Sequence, residues 1–367
     1  MTERQHWKHA RKILCIRLDN MGDVLMTTPA MRALKTAVPG RSITLLASPA
    51  GVALAPHMPF VDSTITYNAP WLKNADNCPM ADEQTLQALR AGHFDAAVIF
   101  TVYSQSPLPA ALLCRLAGIP MTLAYCRENP YWLLSDWVPE TEPELVTRHE
   151  VQRQLDLVAQ VQAVSPDPRL VFVTRSADRV SLRAKLMLRN IDPDGDWIVA
   201  HCGATAASRR YPPEHYVEAL RQLGNRAGQV ILTGNEAEQA MTQQIAQQCA
   251  DRVPCFDLAG TLTLGEFACL LEDASLLLSN NTGPVHIAAA VGTPVVDLYA
   301  LTNPQHTPWM VPHRVLFHDV PCKYCYRSVC PQAHHNCLRL VAPETVCEAV
   351  TGLLADTRPR PQMRAVV

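Results

Sequence analysis

Short apolar runs alternate along the chain with longer segments in which apolar and polar positions mix. The first run, Ile13-Leu14-Cys15-Ile16-Arg17-Leu18, lacks the in–out alternation of a half-wet strand and reads as a strand buried on both faces. A polar turn, Asp19-Asn20-Met21-Gly22-Asp23, follows it. Val24 to Ala37 then reads as a helix, with Pro29 expected near its start or at a kink. Ser42 to Ala47 and Ala96 to Val102 predict two more strands, and Pro109 to Leu116 another helix. A turn-rich passage from about Val164 to Asp196 interrupts this series, with a helix expected near Ala177 to Arg189. The alternation then restarts: strand at Trp197 to Cys202, helix at Pro213 to Leu223, strand at Gly228 to Thr233, helix at Glu236 to Cys249. Leu264 to Glu272, Ser275 to Ser279, Pro284 to Val291 and Val295 to Tyr299 continue it.

Strands alternating with helices predict parallel sheets covered on both faces, and two such series in tandem predict an α/β protein of two doubly wound, Rossmann-like domains facing each other across a cleft. The expected limits are 1–173 for the first domain, 174–350 for the second, and 351–367 for a mobile tail ending in the Pro- and Arg-rich stretch from Arg358.

Length and composition agree with this outline. A chain of 367 residues exceeds one ordinary core and suits two. Hydrophobic residues at 48% against charged residues at 18% exclude a disordered or coiled-coil chain. A formal net charge of −2 argues against a nucleic-acid binder, which carries a basic excess. Two uncharged stretches, Ala96 to Cys114 and Ala274 to Val296, raise the question of a membrane span, but Pro, Gly, Ser, Asn and His interrupt both. With no apolar signal segment in Met1 to Lys12, the expected location is cytoplasmic. Arg4, Lys8, Arg11 and Lys12 could bring it to the anionic face of an inner membrane as a peripheral contact, although a solvated start is the commoner role of such charges.

Three loops following strands carry candidate chemistry. In Asp19 to Asp23, Gly22 would let the backbone turn and Asp23 would stand at a strand's carboxyl end, where a carboxylate can take a proton from an attacking hydroxyl. A capping role for Asp23 or Asp19 is equally open. His201 to Pro212 combines small residues, hydroxyls and the pair Arg209-Arg210, which suits phosphate oxygens but also an ordinary wet loop. In Ser279 to His286, Thr282, Gly283 and the first helical amides would form an anion site at a helix N-terminus. Pro284 fits the first helical position, and His286 would lie one turn in. An Asn-Asn-Thr run inside an uncharged stretch is costly unless something pairs it, which favours a binding role there.

With these loops in order, the chain resembles bacterial glycosyltransferase family 9, the ADP-heptose:lipopolysaccharide heptosyltransferases. The resemblance rests on Ile16 to Val24, Thr28 to Leu34, Ser208 to Glu214 and Asn281 to Ala290, and extends over about residues 12–350. It implies a GT-B fold and an inverting, metal-independent transfer from a nucleotide-sugar to a lipopolysaccharide-type glycolipid, with no cofactor required. It implies Asp23 as catalytic base on the acceptor side, with Arg17, Asn20, Met21 and Gly22 in the same loop. On the donor side it implies Thr205, Ser208 and Arg209 at the diphosphate, Glu236 at the ribose, Leu262 near the adenine, and Asn281, Thr282, Gly283, Pro284 and His286 in the diphosphate turn. Three positions depart from the family pattern: Arg209 stands for the usual Lys, Asn281 for Asp and Tyr211 for Trp. They leave open a family member that uses another nucleotide-sugar for another surface glycan.

The chain has 13 cysteines, and without a secretion signal most are expected as small core residues. Cys322, Cys325, Cys330 and Cys337, with His334 and His335 among them, have the ligand number of a zinc or iron–sulfur site but not a common spacing. Reduced thiols in a packed loop are the preferred reading. A non-catalytic metal or thiol sensor built on this cluster is the alternative from a different class.

Overall fold

The computed structural model describes residues 7–72 and 78–357. The chain divides into two compact units, Met1–Val173 and Thr174–Val367.

The first unit runs β1 (Lys12–Arg17), α1 (Met21–Ala37), β2 (Ser42–Ala47), α2 (Pro49–Val52), β3 (Ser63–Thr66), α3 (Pro79–Gly92), β4 (Ala96–Ile99), α4 (Leu108–Leu116), β5 (Met121–Cys126), β6 (Asp136–Pro139) and α5 (Glu150–Ala159). Its six strands are all parallel, in the order β3-β2-β1-β4-β5-β6. β1 and β4 are central and buried on both faces, which explains why neither alternates. Order reverses between them, so the loops after β1 and β4 part to opposite sides and leave a crevice at the carboxyl edge.

The second unit runs α6 (Ser176–Leu188), β7 (Trp197–His201), α7 (Pro213–Leu223), β8 (Gln229–Thr233), α8 (Gln239–Cys249), β9 (Cys255–Asp257), α9 (Leu264–Glu272), β10 (Leu276–Asn280), α10 (Gly283–Val291), β11 (Val295–Leu298), β12 (His313–Leu316), α11 (Asn336–Arg339) and α12 (Pro343–Thr357). Its strands follow the order β12-β11-β10-β7-β8-β9, again all parallel, with the reversal between β7 and β10. Counted from its own first strand, this is the order of the first unit. One core packs Tyr211, Tyr216, Leu220 and Leu223 of α7 and its approach loop against β7, β8, β10 and α12.

Three expectations need correction. Pro29 lies well inside α1, and the helix continues through it. Proline has no N–H for the carbonyl of Leu25, and the Thr28 hydroxyl donates to that carbonyl instead, at 2.6 Å. Gly22 belongs to the first turn of α1 and has no positive φ, so it does not serve as a turn glycine. The supposed tail begins too early: α12 carries the chain through 351–357, burying Leu353 and Leu354, and only 358–367 lie outside the described residues.

The sequence pattern passes over β3, β5, β6, β9 and β12, four of them edge strands, where short strands leave little apolar signal. No helix among the described residues is long and apolar enough to cross a membrane. Lys8, Arg11 and Lys12 are exposed, and Arg4 lies outside the described residues.

Candidate active site

In the first unit the loop after β1 is organised by Arg17. This guanidinium is fully buried at the end of the strand and faces three carboxylates. Its Nη1 donates to Glu150 Oε1 at 2.8 Å, Nη2 to Asp23 Oδ1 at 3.3 Å, and Nε makes an ion pair with Asp19 Oδ2 at 3.1 Å. Glu150 opens α5, is itself fully buried, and also accepts from Gln154 Nε2 at 2.7 Å. Arg17 thus holds the carboxylates of Asp19, Asp23 and Glu150 together at the end of β1.

Asp23 is the third residue of α1, and its Oδ2 accepts from the backbone N–H of Asn20 at 3.2 Å. The capping reading and the base reading are thus compatible, because one carboxylate oxygen ties down the helix start and the side chain keeps 13% of its surface open. Asn20 itself is exposed, Met21 half-buried and Gly22 buried. Asp19 has another partner: Gln105 Nε2, from the loop after β4, donates to its Oδ1 at 2.6 Å. Burial, with a smaller contribution from Asp23 and against the pull of Arg17, pushes the Asp19 carboxyl up to about 6. Asp19 and Asp23 thus share one guanidinium at the crevice.

In the second unit the loops after β7 and β10 are laced together by Asn280. This side chain is fully buried; its Nδ2 donates to the carbonyls of Cys202 and Gly203, at 2.8 and 3.2 Å, and its Oδ1 accepts from Tyr211 N at 3.0 Å. Asn281 Nδ2 donates to Asp297 Oδ2 at 2.8 Å and to the carbonyl of His306 at 2.9 Å, and Thr282 Oγ1 to the carbonyl of Asn280 at 3.3 Å. The polar run in the uncharged stretch is therefore paired within the protein, and its cost does not by itself call for a ligand. Asp297 is fully buried on β11, and burial pushes its carboxyl up to about 8. The shift favours its neutral form.

Thr282 caps α10, whose first residues are Gly283 and Pro284; the proline is second in the helix, still among the positions whose N–H has no helical partner. A Cβ on Gly283 would meet no atom within 4 Å, so the protein itself leaves this helix start open. His286, one turn in, is buried with its ring 6.4 Å from that of His306. Arg209 is half-buried and donates from Nη1 to the carbonyl of Asn281 at 3.4 Å, which sets its charge beside the same helix start. Thr205 is exposed in the loop between them. Glu236 is exposed after β8, packed at its backbone against Gly260, whose φ of +68° and close approach tolerate no side chain, and Leu262 follows in the next loop. Thr205 and Glu236 are exposed, Arg209, Leu262, Thr282, Gly283 and Pro284 half-buried, and Asn281 and His286 buried.

Ser208 departs from expectation. It is buried, its hydroxyl donates to the carbonyl of Arg327 at 2.7 Å, and its N–H to that of Ser328 at 3.0 Å. It anchors the cysteine-rich segment onto the donor-side loop. In that segment all four cysteines are half-buried, Cys322 Sγ lies 3.8 Å from His334 Nε2, and burial together with the neighbouring thiols pushes the Cys337 thiol up. No group of three or more His, Cys, Asp or Glu among the described residues is arranged to hold a metal ion. The residues missed by sequence reasoning are Gln105, Glu150 and Asp297. Asp297 had a signal, a lone acid inside the apolar strand Val295–Leu298; the others become visible only through their partners.

Known proteins share this arrangement. The profile of glycosyltransferase family 9 (heptosyltransferase) matches residues 84–335. Lipopolysaccharide heptosyltransferase 2 of Salmonella typhimurium is 25% identical, over 94% of this chain and 99% of its own. A family 9 glycosyl transferase from Veillonella parvula superposes with a TM-score of 0.77 at 20% identity, covering 95% of this chain and 98% of that one. An E. coli ADP-heptose LPS heptosyltransferase II gives 0.72 at 24% identity, covering 94% and 99%. These neighbours share the GT-B type of fold, and the matched family extends over most of the chain. With its two six-stranded parallel sheets and the loops that crown them, this protein belongs to glycosyltransferase family 9, the heptosyltransferases.

Proposed function

We propose that the protein transfers a heptosyl group from ADP-heptose to the core region of a lipopolysaccharide acceptor, with Asp23 as the base. The reading rests on one observation above the rest: Asp23 is held by Arg17 and by Asn20 N at the carboxyl end of β1, yet keeps part of its carboxylate open. The acceptor hydroxyl gives its proton to Asp23 as its oxygen attacks the anomeric carbon. The bond from that carbon to the diphosphate oxygen breaks on the opposite face, and ADP leaves with the electron pair, so configuration inverts. Arg209 and the first amides of α10 face the negative charge that grows on the diphosphate, where fixed donors act without reorganising. In this reading no metal is required, because that charge is met by a guanidinium and a helix start.

ADP-heptose is favoured as donor by the names of the relatives, and Asn281 in place of an acid does not oppose it: its amide is fixed by Asp297 and His306, which leaves its carbonyl oxygen as the atom to accept from a sugar hydroxyl. The test pairs kinetics with calorimetry, both run with a chelator present. Asp23→Asn is expected to lower turnover at least 100-fold while ADP-heptose binding stays within about twofold. Unchanged turnover would remove Asp23 from the chemistry, and tighter binding of UDP or GDP than of ADP would overturn the donor.

A further inference from the structure

Five of the large apolar side chains that the first unit leaves exposed lie on one side of its sheet. Leu112 and Leu116 are four residues apart on α4 and so stand on one helix face, while Ala110, Ala111 and Cys114 pack into the core. The short helical turn Tyr131–Leu133, in the connection from β5 to β6, packs against α4 and directs Leu133 inward. Its other two side chains go outward, Tyr131 79% and Trp132 87% exposed. Trp137 of β6 belongs to the same side. It pairs in register with Ala124 of β5, which faces the core under α4, and residues paired across parallel strands share a face.

The backbone holds the two outward rings in place. Asn129 Oδ1 accepts from Tyr131 N at 2.9 Å, and Leu133 N donates to the carbonyl of Pro130 at 3.0 Å. Thr122 Oγ1 donates to the carbonyl of Leu133 at 3.1 Å and accepts from Ser135 N at 3.0 Å, which ties the turn to β5. Tyr131 has a φ of +49°, a conformation that a bulky side chain adopts only where its surroundings impose it. Neither the Tyr131 hydroxyl nor the Trp132 indole N–H has a partner among the described residues. The fold thus presents two amphipathic rings to the outside at the cost of a strained backbone.

Two guanidiniums border these side chains. Arg115 is exposed on α4 between Leu112 and Leu116. Arg90, near the end of α3, donates from Nε and Nη2 to the carbonyl of Leu116, both at 3.3 Å. Neither has a carboxylate partner among the described residues. Of the acids near them in the chain, Asp136 alternates to the opposite face of β6 and accepts from Trp7 Nε1 at 3.0 Å. Glu128 is offset by its neighbour Arg127 and accepts from the Ser106 hydroxyl at 2.8 Å. Glu83 lies two turns of α3 from Arg90, about 10 Å along the helix, where physiological salt screens it. The patch is therefore apolar within and cationic at its border.

We infer that this face seats on the headgroup layer of an anionic phospholipid bilayer, with Tyr131 and Trp132 entering it and Arg90 and Arg115 over the phosphates. Tyrosine and tryptophan form the aromatic belts of membrane interfaces, where a ring meets apolar chains and its polar tip stays wet. Each unpaired cation adds attraction to an anionic surface. A protein partner would have to offer a pocket to receive such rings, whereas a lipid surface closes around side chains that project. The N-terminal cations Lys8, Arg11 and Lys12 adjoin no exposed large apolar side chain among the described residues, which leaves them without this anchor. The inference rests on the proposed transfer for its purpose alone, since a glycolipid acceptor is itself held in a bilayer.

The test uses the full chain and vesicles that contain no acceptor, so it does not depend on transfer. Vesicles of phosphatidylethanolamine and phosphatidylglycerol in equal parts should bind the parent protein about tenfold more tightly than vesicles of phosphatidylcholine alone. Tyr131→Asn combined with Trp132→Ser, in which asparagine tolerates the positive φ, should weaken that binding about tenfold and leave the thermal midpoint in place. Arg90→Gln combined with Arg115→Gln should remove most of its salt dependence. Brominated lipid should quench the fluorescence of the parent more than that of Trp132→Phe. Transfer to a lipid-free core oligosaccharide should be equal in the parent and the aromatic variant. If transfer were absent from both while vesicles still retained the parent alone, the reaction would fall and the surface would stand. A parent that ignores anionic vesicles, or an aromatic variant that binds them equally well, would overturn the assignment. Self-association without lipid that the aromatic variant abolishes would overturn it too, in favour of a second copy of the chain.

Discussion

The two units place the same crevice on the same strand order and fill it with opposite chemistry. In the first, β1 ends in a buried arginine ringed by Asp19, Asp23 and Glu150, and the loop is held by charge. In the second, β10 ends in Asn280, Asn281 follows, and the loops are held by neutral amides, one of them bonded to the buried acid Asp297, whose burial favours its neutral form. In the proposed reaction the difference follows from the work each would do. A base must be an anion kept available, so its surroundings carry compensating charge. A loop that receives a diphosphate must supply donors without adding negative charge of its own, and amides do that.

Removing the central group from each side should separate the two modes of support. Arg17→Met leaves three carboxylates around an apolar side chain, two of them largely buried, and should destabilise the first unit by about 3–5 kcal/mol. Urea unfolding with separate probes for the two units would show that transition move and the other stay. Asn280→Ala should do the reverse on a smaller scale. It orphans Tyr211 N–H and the carbonyls of Cys202 and Gly203, and costs the second unit roughly 2–4 kcal/mol. Calorimetry should also show weaker ADP binding, by tenfold or more, because both donor loops lose their common anchor. If ADP affinity survived, the lacing would be structural alone.

The smallest effects are in the response to pH. Asp19 and Asp297 both bind a proton more tightly in the folded chain than the ordinary aspartate does, so for each the stability it contributes is lost as pH rises through the folded value. For Asp297 that is near 8. The loss builds as pH rises from the ordinary aspartate range toward about 8 and is complete above it. The parent protein should lose roughly 2–4 °C in thermal midpoint for each kcal/mol lost across that window, and Asp297→Asn, which keeps the neutral shape, should flatten the loss. For Asp19 the window is near 6 and should appear in the rate. Its ionisation adds a negative charge beside the base, facing Arg17, Asp23, Glu150 and the amide of Gln105. A step in kcat near pH 6 that Asp19→Asn removes would support this; a step that persisted would belong to another group.

Much of the site was legible along the chain because its loops are short and contiguous. Asp19 to Asp23, Arg209 and Thr282 to His286 each follow a buried apolar strand, and a strand's end in a parallel sheet is where ligands meet the fold. What misled was function assigned by residue type alone. Ser208 has a phosphate-binder's hydroxyl but directs it to the carbonyl of Arg327. Nothing in the local pattern distinguishes an outward hydroxyl from an inward one.

The sequence by itself determined the class of the fold, the loops that follow its buried strands and the family, because apolar periodicity and turn residues act over a few neighbouring positions. Only the tertiary structure decided the partners. Gln105 meets Asp19 across 86 positions, Glu150 meets Arg17 across 133, and Asn280 reaches Cys202 across 78. These contacts exist because parallel strands distant in the chain lie side by side, and pairing at such a distance leaves no trace in local spacing.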